Sequence, residues 1–316
     1  MKKQIFTILL LFSLLLTACG TTNQTYAPTE DESTTTFTDD MGREVIIGTV
    51  ERAATLLGSF AQIWQLAGGH VCAAPDDAWD DLALDMPEDA VNLGSTEQQS
   101  LELLLSSEPD LIIASTNRRQ NVEWLDTLVA TGIPVAYFDV DDFDDYLRLL
   151  KFCTDLTGRG DLYEQHGLRV QSQIDAVVDQ SRQRLSGKEP PTVLCMTASA
   201  STVRAQNSTG TVLGAMLKTL GCINIADSDT VLLENLSIEH ILMSDPDYIF
   251  IVQRGNDEAG MQAYIQQFLM EHPAWSSLTA VKNGRVFFME KALFNLKPNH
   301  RWGEAYEILE EKLQNG

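Results

Sequence analysis

Basic residues are scarce in this sequence. Its 316 residues include 22 Lys and Arg against 45 Asp and Glu, which gives a formal net charge of -23 at pH 7. An excess of acid this large is repelled by phosphate backbones, and no run of basic residues exceeds two, as in Lys2 and Lys3. Nucleic acid is therefore excluded from the expected partners.

Cysteine and histidine are scarce as well, with five of each dispersed along the chain. Such sparse cysteines do not make a disulfide scaffold, so we expect buried free thiols, although one disulfide in each half is an open alternative. The residues concerned are Cys72, Cys153, Cys195 and Cys222. No two histidines have the close spacing of a metal site, which leaves direct metal binding as a minor alternative. We predict neither a metal site nor a resident cofactor.

Motifs typical of enzymes are missing. The sequence has no Gly-x-Ser-x-Gly elbow, no His-Glu-x-x-His and no Cys-x-x-Cys. Gly158 and Gly160 are not followed by the third glycine of a dinucleotide-binding loop, and they follow a predicted helix, not a strand. These absences favour a binding protein over an enzyme.

The N-terminus has the pattern of an export signal. Two lysines precede a mostly apolar stretch over residues 5–16, which is too short to span a bilayer comfortably. The following residues, Leu16 to Cys19, resemble a bacterial lipobox, in which the cysteine is lipidated. We therefore expect residues 1–18 to be a lipoprotein signal peptide and Cys19 to anchor the chain to the membrane. Residues 19–36 are polar and rich in Thr, which predicts a flexible tether.

The remaining sequence alternates short apolar runs with amphipathic stretches. This pattern predicts an α/β fold with mostly parallel sheets. The predicted strands are 53–59, 71–74, 110–115, 135–139, 192–197 and 248–252. The predicted helices are 60–67, 100–107, 121–131, 143–156 and 212–220.

An internal repeat divides the body into two halves. Residues 100–113 align without gaps to residues 237–250, and seven of the fourteen positions are identical. Each copy has a Ser-x-Glu start, a short predicted helix, a Pro-Asp turn and a buried strand. The repeat indicates two similar lobes, here predicted over residues 37–158 and 189–316.

Residues 159–188 connect the two predicted lobes. Apolar residues recur at helical spacing from 160 to 186, without proline, which predicts one helix roughly 40 Å long. A break near Gly167 into two helices is the alternative. A single stiff helix would limit how far the lobes can close.

Several segments along the body, taken in order, resemble those of class III substrate-binding proteins of ABC importers. That family serves ferric siderophores, haem and cobalamin. The matching segments are 37–45, the two Glu…Pro-Asp units, 131–135, 156–159, 220–226, 273–275, 280–286 and the terminal helix from residue 299. The resemblance implies two α/β lobes with a ligand cleft between them.

The resemblance also implies a permease dimer as partner. In this family a Glu on each lobe docks into Arg-containing pockets of the permease, and the matching residues are Glu102 and Glu239. We expect the protein itself to be a monomer. A purely structural surface lipoprotein would leave these equivalent glutamates unexplained.

The ligand is predicted from the loops that follow the strands, because open α/β sheets bind small molecules beyond the carboxyl ends of their strands. Arginine is unusually frequent there for so acidic a chain, and its planar fork suits carboxylate and catecholate oxygens. The predicted ligand-binding residues are Trp79, Arg118, Arg119, Arg204, Arg254, Lys297 and Arg301. They favour an anionic iron(III)-siderophore chelate as cargo. Haem or cobalamin, and less so a metal ion or an extracytoplasmic enzyme activity, are the alternatives.

Overall fold

A computed structural model describes residues 34–234 and 236–316. The predicted signal peptide, Cys19 and most of the predicted tether lie outside these residues. The first strand begins at Thr35, so the tether prediction, which ran to residue 36, extends slightly too far. The reason is that Phe37, in this strand, stacks on Phe138 in the core of the first lobe.

The N-terminal lobe is an α/β unit built on a parallel sheet. Its strands are β1 (Thr35–Thr38), β2 (Glu44–Ile47), β3 (Ala53–Thr55), β4 (Val71–Ala74), β5 (Val91–Asn92), β6 (Leu111–Ser115) and β7 (Val135–Phe138). Its helices are α1 (Gly58–Leu66), α2 (Asp77–Asp80), α3 (Leu101–Ser106), α4 (Arg119–Glu123), α5 (Leu125–Ala130) and α6 (Phe143–Thr157). The sheet order is β5-β4-β3-β6-β7, all parallel, while β1 and β2 form a separate antiparallel pair.

The C-terminal lobe repeats this plan. Its strands are β8 (Thr192–Ala198), β9 (Val203–Gln206), β10 (Ile223–Asn224), β11 (Tyr248–Gln253) and β12 (Val286–Met289). After the connecting helices α7 (Gly160–Tyr163) and α8 (Arg169–Leu185), its own helices are α9 (Val212–Thr219), α10 (Thr230–Glu234), α11 (Ile238–Ser244), α12 (Glu258–Ile265), α13 (Thr279–Lys282), α14 (Lys291–Phe294) and α15 (Trp302–Asn315). The sheet order is β10-β8-β11-β12, all parallel, and β9 pairs antiparallel with β8. The predicted two-lobed α/β fold with mostly parallel sheets is confirmed.

Two predicted elements differ from the structure. The strand predicted over 53–59 ends at Thr55, because the apolar run continues into helix α1, where its residues stay buried. The helix predicted over 121–131 is two helices, α4 and α5, which meet at Trp124. In both cases apolar residues continue across a change in backbone direction, so periodicity does not locate the boundary.

The connection between the lobes is helical from Gly160 to Leu185 without a break. A π-helical turn, Glu164–Leu168, lies between α7 and α8. Gly167 is buried in this turn, and a Cβ there would lie 3.0 Å from the side chain of Leu147 on α6. The glycine therefore permits close packing of the connection against the N-terminal lobe and does not end the helix.

One hydrophobic core extends through both lobes. It contains Phe138 of the N-terminal lobe, Val177 of the connecting helix, and Phe250 and Trp302 of the C-terminal lobe. Residues Thr34–Gly316 accordingly form one compact unit. The shared core packs the two lobes and the connecting helix against one another.

The segment from residue 291 to 302, which we call the interlobe segment, joins the C-terminal lobe to the N-terminal lobe. Asn299 is fully buried in a left-handed backbone conformation, with φ of 55°, and donates hydrogen bonds to the Ser59 carbonyl oxygen and to Gln62. Trp302 packs edge-to-face against Phe143 of α6. These contacts place the interlobe segment against helices α1 and α6 of the N-terminal lobe.

The four described cysteines, Cys72, Cys153, Cys195 and Cys222, are buried and free, as predicted. Burial raises the pKa of each thiol, so they are inert apolar groups in the core. Over the part of the chain that the structure describes, no helix combines the length and the apolar character needed to cross a membrane.

Candidate functional site

A cavity of about 430 Å³ is lined by residues of both lobes. Its wall is formed by loops that leave the carboxyl ends of parallel strands: Asp76 follows β4, Arg118 follows β6 and Arg254 follows β11. This is the position at which α/β sheets bind small molecules, and the volume lies in the range of ligand sites. The predicted cleft between the lobes is therefore present as a cavity.

The lining combines apolar and charged side chains. The apolar residues include Val212, Leu213, Val252, Phe294 and Leu296. The charged side chains are Asp76, Asp77, Asp81, Glu97 and Arg118 from the N-terminal lobe, with Arg254, Lys291 and Lys297 from the C-terminal lobe. Acidic and basic side chains are thus equal in number, although the sequence had indicated a mainly basic site.

Arg118 and Arg254 are the two cavity guanidinium groups, one from each lobe. Neither forms a salt bridge with any residue in the described ranges, although salt bridges occupy both cavity lysines. The backbone N–H of Arg254 donates to the Ala198 carbonyl oxygen at 2.7 Å, which holds this residue beside the ends of β8 and β11. Both guanidinium groups are therefore available to bind a ligand anion.

The two cavity lysines reach from the interlobe segment to carboxylates of the other lobe. Lys291 lies 2.8 Å from Asp81, and Lys297 lies 3.4 Å from Asp141. Burial lowers the pKa of Lys297, and this effect is opposed by the nearby Asp141 carboxylate. Their positive charge is thus partly neutralised within the protein.

Asp77 is the most buried charged residue of the cavity wall, with 9% of its surface exposed. The Gly58 amide donates a hydrogen bond to its Oδ1 at 3.0 Å. Burial raises the pKa of Asp77 to about 6, although this hydrogen bond acts in the opposite direction. A Cβ at position 58 would lie 2.6 Å from the Ala78 amide nitrogen, so only glycine allows α1 to start so close to Asp77.

Of the seven predicted ligand-binding residues, the structure brings Arg118, Arg254 and Lys297 together on the cavity wall. Arg119 points away, with 91% of its side chain exposed, and forms an i,i+4 salt bridge with Glu123. Arg204 lies exposed on β9, which folds back on β8.

The last two predicted residues, Trp79 and Arg301, also do not line the cavity. Trp79 is partly buried in α2 and packs against the core. Arg301 forms salt bridges with Glu304 at 2.7 Å and with Glu290 at 3.5 Å. Local packing and pairing thus account for both side chains.

Several wall residues were missed by the sequence prediction, chiefly Asp76, Asp77, Asp81 and Lys291. Asp76 and Asp77 lie just after the carboxyl end of strand β4. The argument that selected Arg118, that ligands bind beyond the carboxyl ends of the strands, therefore applies to them equally. They did not stand out because acidic residues are common throughout this chain.

Glu102 and Glu239 occupy equivalent positions in the two lobes. Each is exposed, and each lies in the first turn of a helix that is capped by a serine, Ser100 for α3 and Ser237 for α11. Both helices run back from the carboxyl edge of a parallel sheet, so their first turns lie at that edge. The same edge supplies the loops of the cavity, on both lobes.

Histidines lie outside the cavity wall. His166, in the π-helical turn, and His300, in the interlobe segment, pack edge-to-face with ring centroids 6.1 Å apart. Within residues 34–234 and 236–316, no three His, Cys, Asp or Glu side chains converge as a metal-binding group.

Comparison with known proteins adds to this geometry. The family model described as "Periplasmic binding protein" matches residues 54–293. The "Fe(3+)-citrate-binding protein YfmC" of Bacillus subtilis is 24% identical over 294 residues, covering 90% of this chain and 87% of that protein. YfmC is thus similar over nearly its whole length.

Two further proteins are similar over most of the chain. Bacillus subtilis YhfQ, whose name describes an ABC transporter substrate-binding lipoprotein, is 23% identical over 312 residues, covering 94% of this chain and 93% of YhfQ. The crystal structure of Staphylococcus aureus SirA with staphyloferrin B has a TM-score of 0.69 at 21% identity, covering 89% of this chain and 98% of SirA. The names of the two Bacillus subtilis proteins describe binding proteins, and SirA is in complex with staphyloferrin B. The family model covers well over half of the sequence, and the chain therefore belongs to the periplasmic binding protein family.

Proposed function

We propose that this protein is the extracytoplasmic substrate-binding lipoprotein of an ABC importer, and that it captures an iron(III) chelate and delivers it to the permease. The observation that carries the proposal is the pair of guanidinium groups, Arg118 and Arg254, which face one cavity from opposite lobes without a salt-bridge partner among the described residues. Family membership and the names of the relatives support it.

Arginine is suited to this cargo. A planar guanidinium group binds carboxylate oxygens through two parallel hydrogen bonds, and such charge-assisted bonds are stronger than neutral ones. Iron is held here as part of the cargo, by the oxygens of the chelator, so the protein needs to recognise only the outer surface of the complex.

Haem is a weaker candidate for this cavity. A haem iron needs an axial ligand such as His, Met or Tyr. Among the described wall residues, the only side chain of these types is that of Met196, which is completely buried in β8. The charged groups of the wall favour a hydrophilic chelate.

A binding panel tests the proposal directly. Tryptophan fluorescence is recorded while the purified protein is titrated with ferric citrate, a ferric catecholate, a ferric hydroxamate, haem and cobalamin. We expect at least one ferric chelate to bind more tightly than haem and cobalamin. Nanomolar binding of haem or cobalamin without binding of any ferric chelate would contradict the proposal.

The membrane anchor is tested separately. Growing cells are supplied with labelled fatty acid, and we expect the label in the wild-type protein but not in the Cys19→Ala variant. The reason is that the Cys19 thiol is the group a lipid would join. Label retained in the variant would remove the anchor from the proposal.

A further inference from the structure

We propose that the cavity selects a dipolar chelate, which presents anionic oxygens to Arg118 and Arg254 and a positively charged amine to Asp76 and Asp77. This inference rests on the proposed function, chelate capture, and specifies the chemical class of the cargo. It begins from the distribution of charge over the two walls.

The walls differ in net charge, although the N-terminal wall also carries Arg118. Every acidic side chain that lines the cavity within the described residues comes from the N-terminal lobe, and these are Asp76, Asp77, Asp81 and Glu97. The C-terminal lobe contributes Arg254, Lys291 and Lys297. An ion with negative charge all around would meet repulsion at one wall, whereas a dipolar ion meets attraction at both.

Internal pairing does not remove this asymmetry. Asp81 is neutralised by Lys291, and Glu97 is exposed. Within the described ranges no salt bridge involves Asp76 or Asp77, and the only hydrogen bond that reaches the Asp77 side chain comes from the Gly58 amide. Two acids thus remain on the N-terminal wall without a salt bridge, although the nearby Arg118 guanidinium acts to lower the pKa of Asp77.

The burial of Asp77 also supports a positively charged group on the ligand. A carboxylate as buried as Asp77 loses much of its hydration, and a single amide donor compensates only part of that loss. A buried acid without a cation in direct contact is costly, and its presence in a ligand cavity is explained if the ligand brings that cation. A primary ammonium group has this charge and three donors.

The test uses two matched probes. Both are ferric complexes of one synthetic hydroxycarboxylate chelator, which has a pendant primary amine in the first probe and the same amine acetylated in the second. Acetylation removes the charge and changes little else. We expect the wild-type protein to bind the amine probe roughly 10- to 100-fold more tightly, as for a charge-assisted hydrogen bond.

Variants assign the preference to the two acids. The Asp76→Asn/Asp77→Asn variant should lose the preference for the amine and bind the two probes with similar affinity. Asparagine can still accept the hydrogen bond from the Gly58 amide, so the local fold has its partner. Asp80→Asn is the matched control, because Asp80 is an exposed residue of the same helix that does not line the cavity.

Each outcome is decisive. Equal affinity of the wild-type protein for the two probes overturns the inference and leaves chelate capture intact, and this comparison needs no variant. A preference that persists in the double variant also overturns it. If the protein binds neither probe and no ferric chelate of the panel, both the inference and the proposed function fail.

Discussion

Lys291 of the C-terminal lobe donates a hydrogen bond to Asp81 of the N-terminal lobe across the rim of the cavity, at 2.8 Å. The same ammonium group donates to Asn256 at 2.5 Å, and each side chain of the ion pair is only 18% exposed. Together with Lys297 and Asp141, this pair links the interlobe segment to the opposite wall. The lobes are therefore linked beside the ligand site by two ion pairs.

Removing this link should lower stability. We expect Lys291→Met to reduce the free energy of unfolding by roughly 1–2 kcal/mol, since the pair is mostly shielded from water but not fully buried. Urea denaturation of Lys291→Met, Asp81→Asn and the double variant measures the coupling between the two side chains. Lys188→Met, at an exposed residue without a salt bridge in the described chain, is the control. Additive effects would contradict a direct interaction.

Asp77 should make stability depend on pH. Its pKa is about 6 in the folded protein against an ordinary value of 3.8, so between these values the folded state binds more protons than the unfolded state. The free energy of unfolding therefore falls as the pH rises through this window, by about 3 kcal/mol in total.

The Asp77→Asn variant tests this pH dependence. It should be more stable than the wild type at neutral pH and should show a flatter profile between pH 3.8 and about 6. Denaturant unfolding at several pH values gives both quantities, with Asp80→Asn as the control on the same helix. A variant that is less stable than the wild type at neutral pH would show that the ionised carboxylate stabilises the fold.

Glu102 and Glu239 should act in transport and not in ligand binding. A double Glu→Gln variant should lose uptake of radiolabelled ferric chelate by cells while its affinity for the chelate in solution is unchanged, because neither residue lines the cavity. Loss of one carboxylate opposite a buried Arg costs roughly 2–5 kcal/mol, so single variants should also be impaired.

The matched control replaces Glu88 and Glu271, one exposed glutamate in each lobe, by glutamine. These substitutions remove the same charge at positions outside the two repeated segments. Normal uptake by the Glu102/Glu239 double variant, or equal loss in the control, would remove the docking role.

Ligand binding should change the overall dimensions very little. The connecting helix is continuous from Gly160 to Leu185, and the core passes through both lobes, so wide closure would expose apolar surface. Small-angle scattering should give the same radius of gyration with and without a saturating ferric chelate. A clear decrease on binding, typical of hinge closure, would mean that the helix bends at its π-helical turn.

The sequence predicted the lobes well for a physical reason. A parallel sheet covered on both faces needs continuous apolar strands, so β4, β6, β8 and β11 are visible as apolar runs. The repeat was visible because each copy needs the same helix cap, Pro-Asp turn and strand. The boundary between strand β3 and helix α1 was not predicted, because buried apolar residues continue from the strand into the helix that begins at Gly58.

The cavity was predictable only in part. Arg118 and Arg254 were located by their position after the carboxyl ends of strands. That position does not tell whether a nearby side chain already forms a salt bridge, as Arg119 and Arg301 do. Long-range partners are the other limit, since Lys291 and Asp81 are 210 residues apart in sequence and meet only because the interlobe segment crosses to the other lobe.

The central claim is that Arg118 and Arg254 bind the anionic oxygens of the chelate between the lobes. Isothermal titration with the tightest-binding ferric chelate of the panel tests it, using Arg118→Gln, Arg254→Gln and, as control, Arg119→Gln, whose side chain is exposed beside the cavity wall. We expect each of the first two variants to bind roughly 10- to 100-fold more weakly and the control to bind like the wild type. Unchanged affinity in both Arg118→Gln and Arg254→Gln would contradict the account.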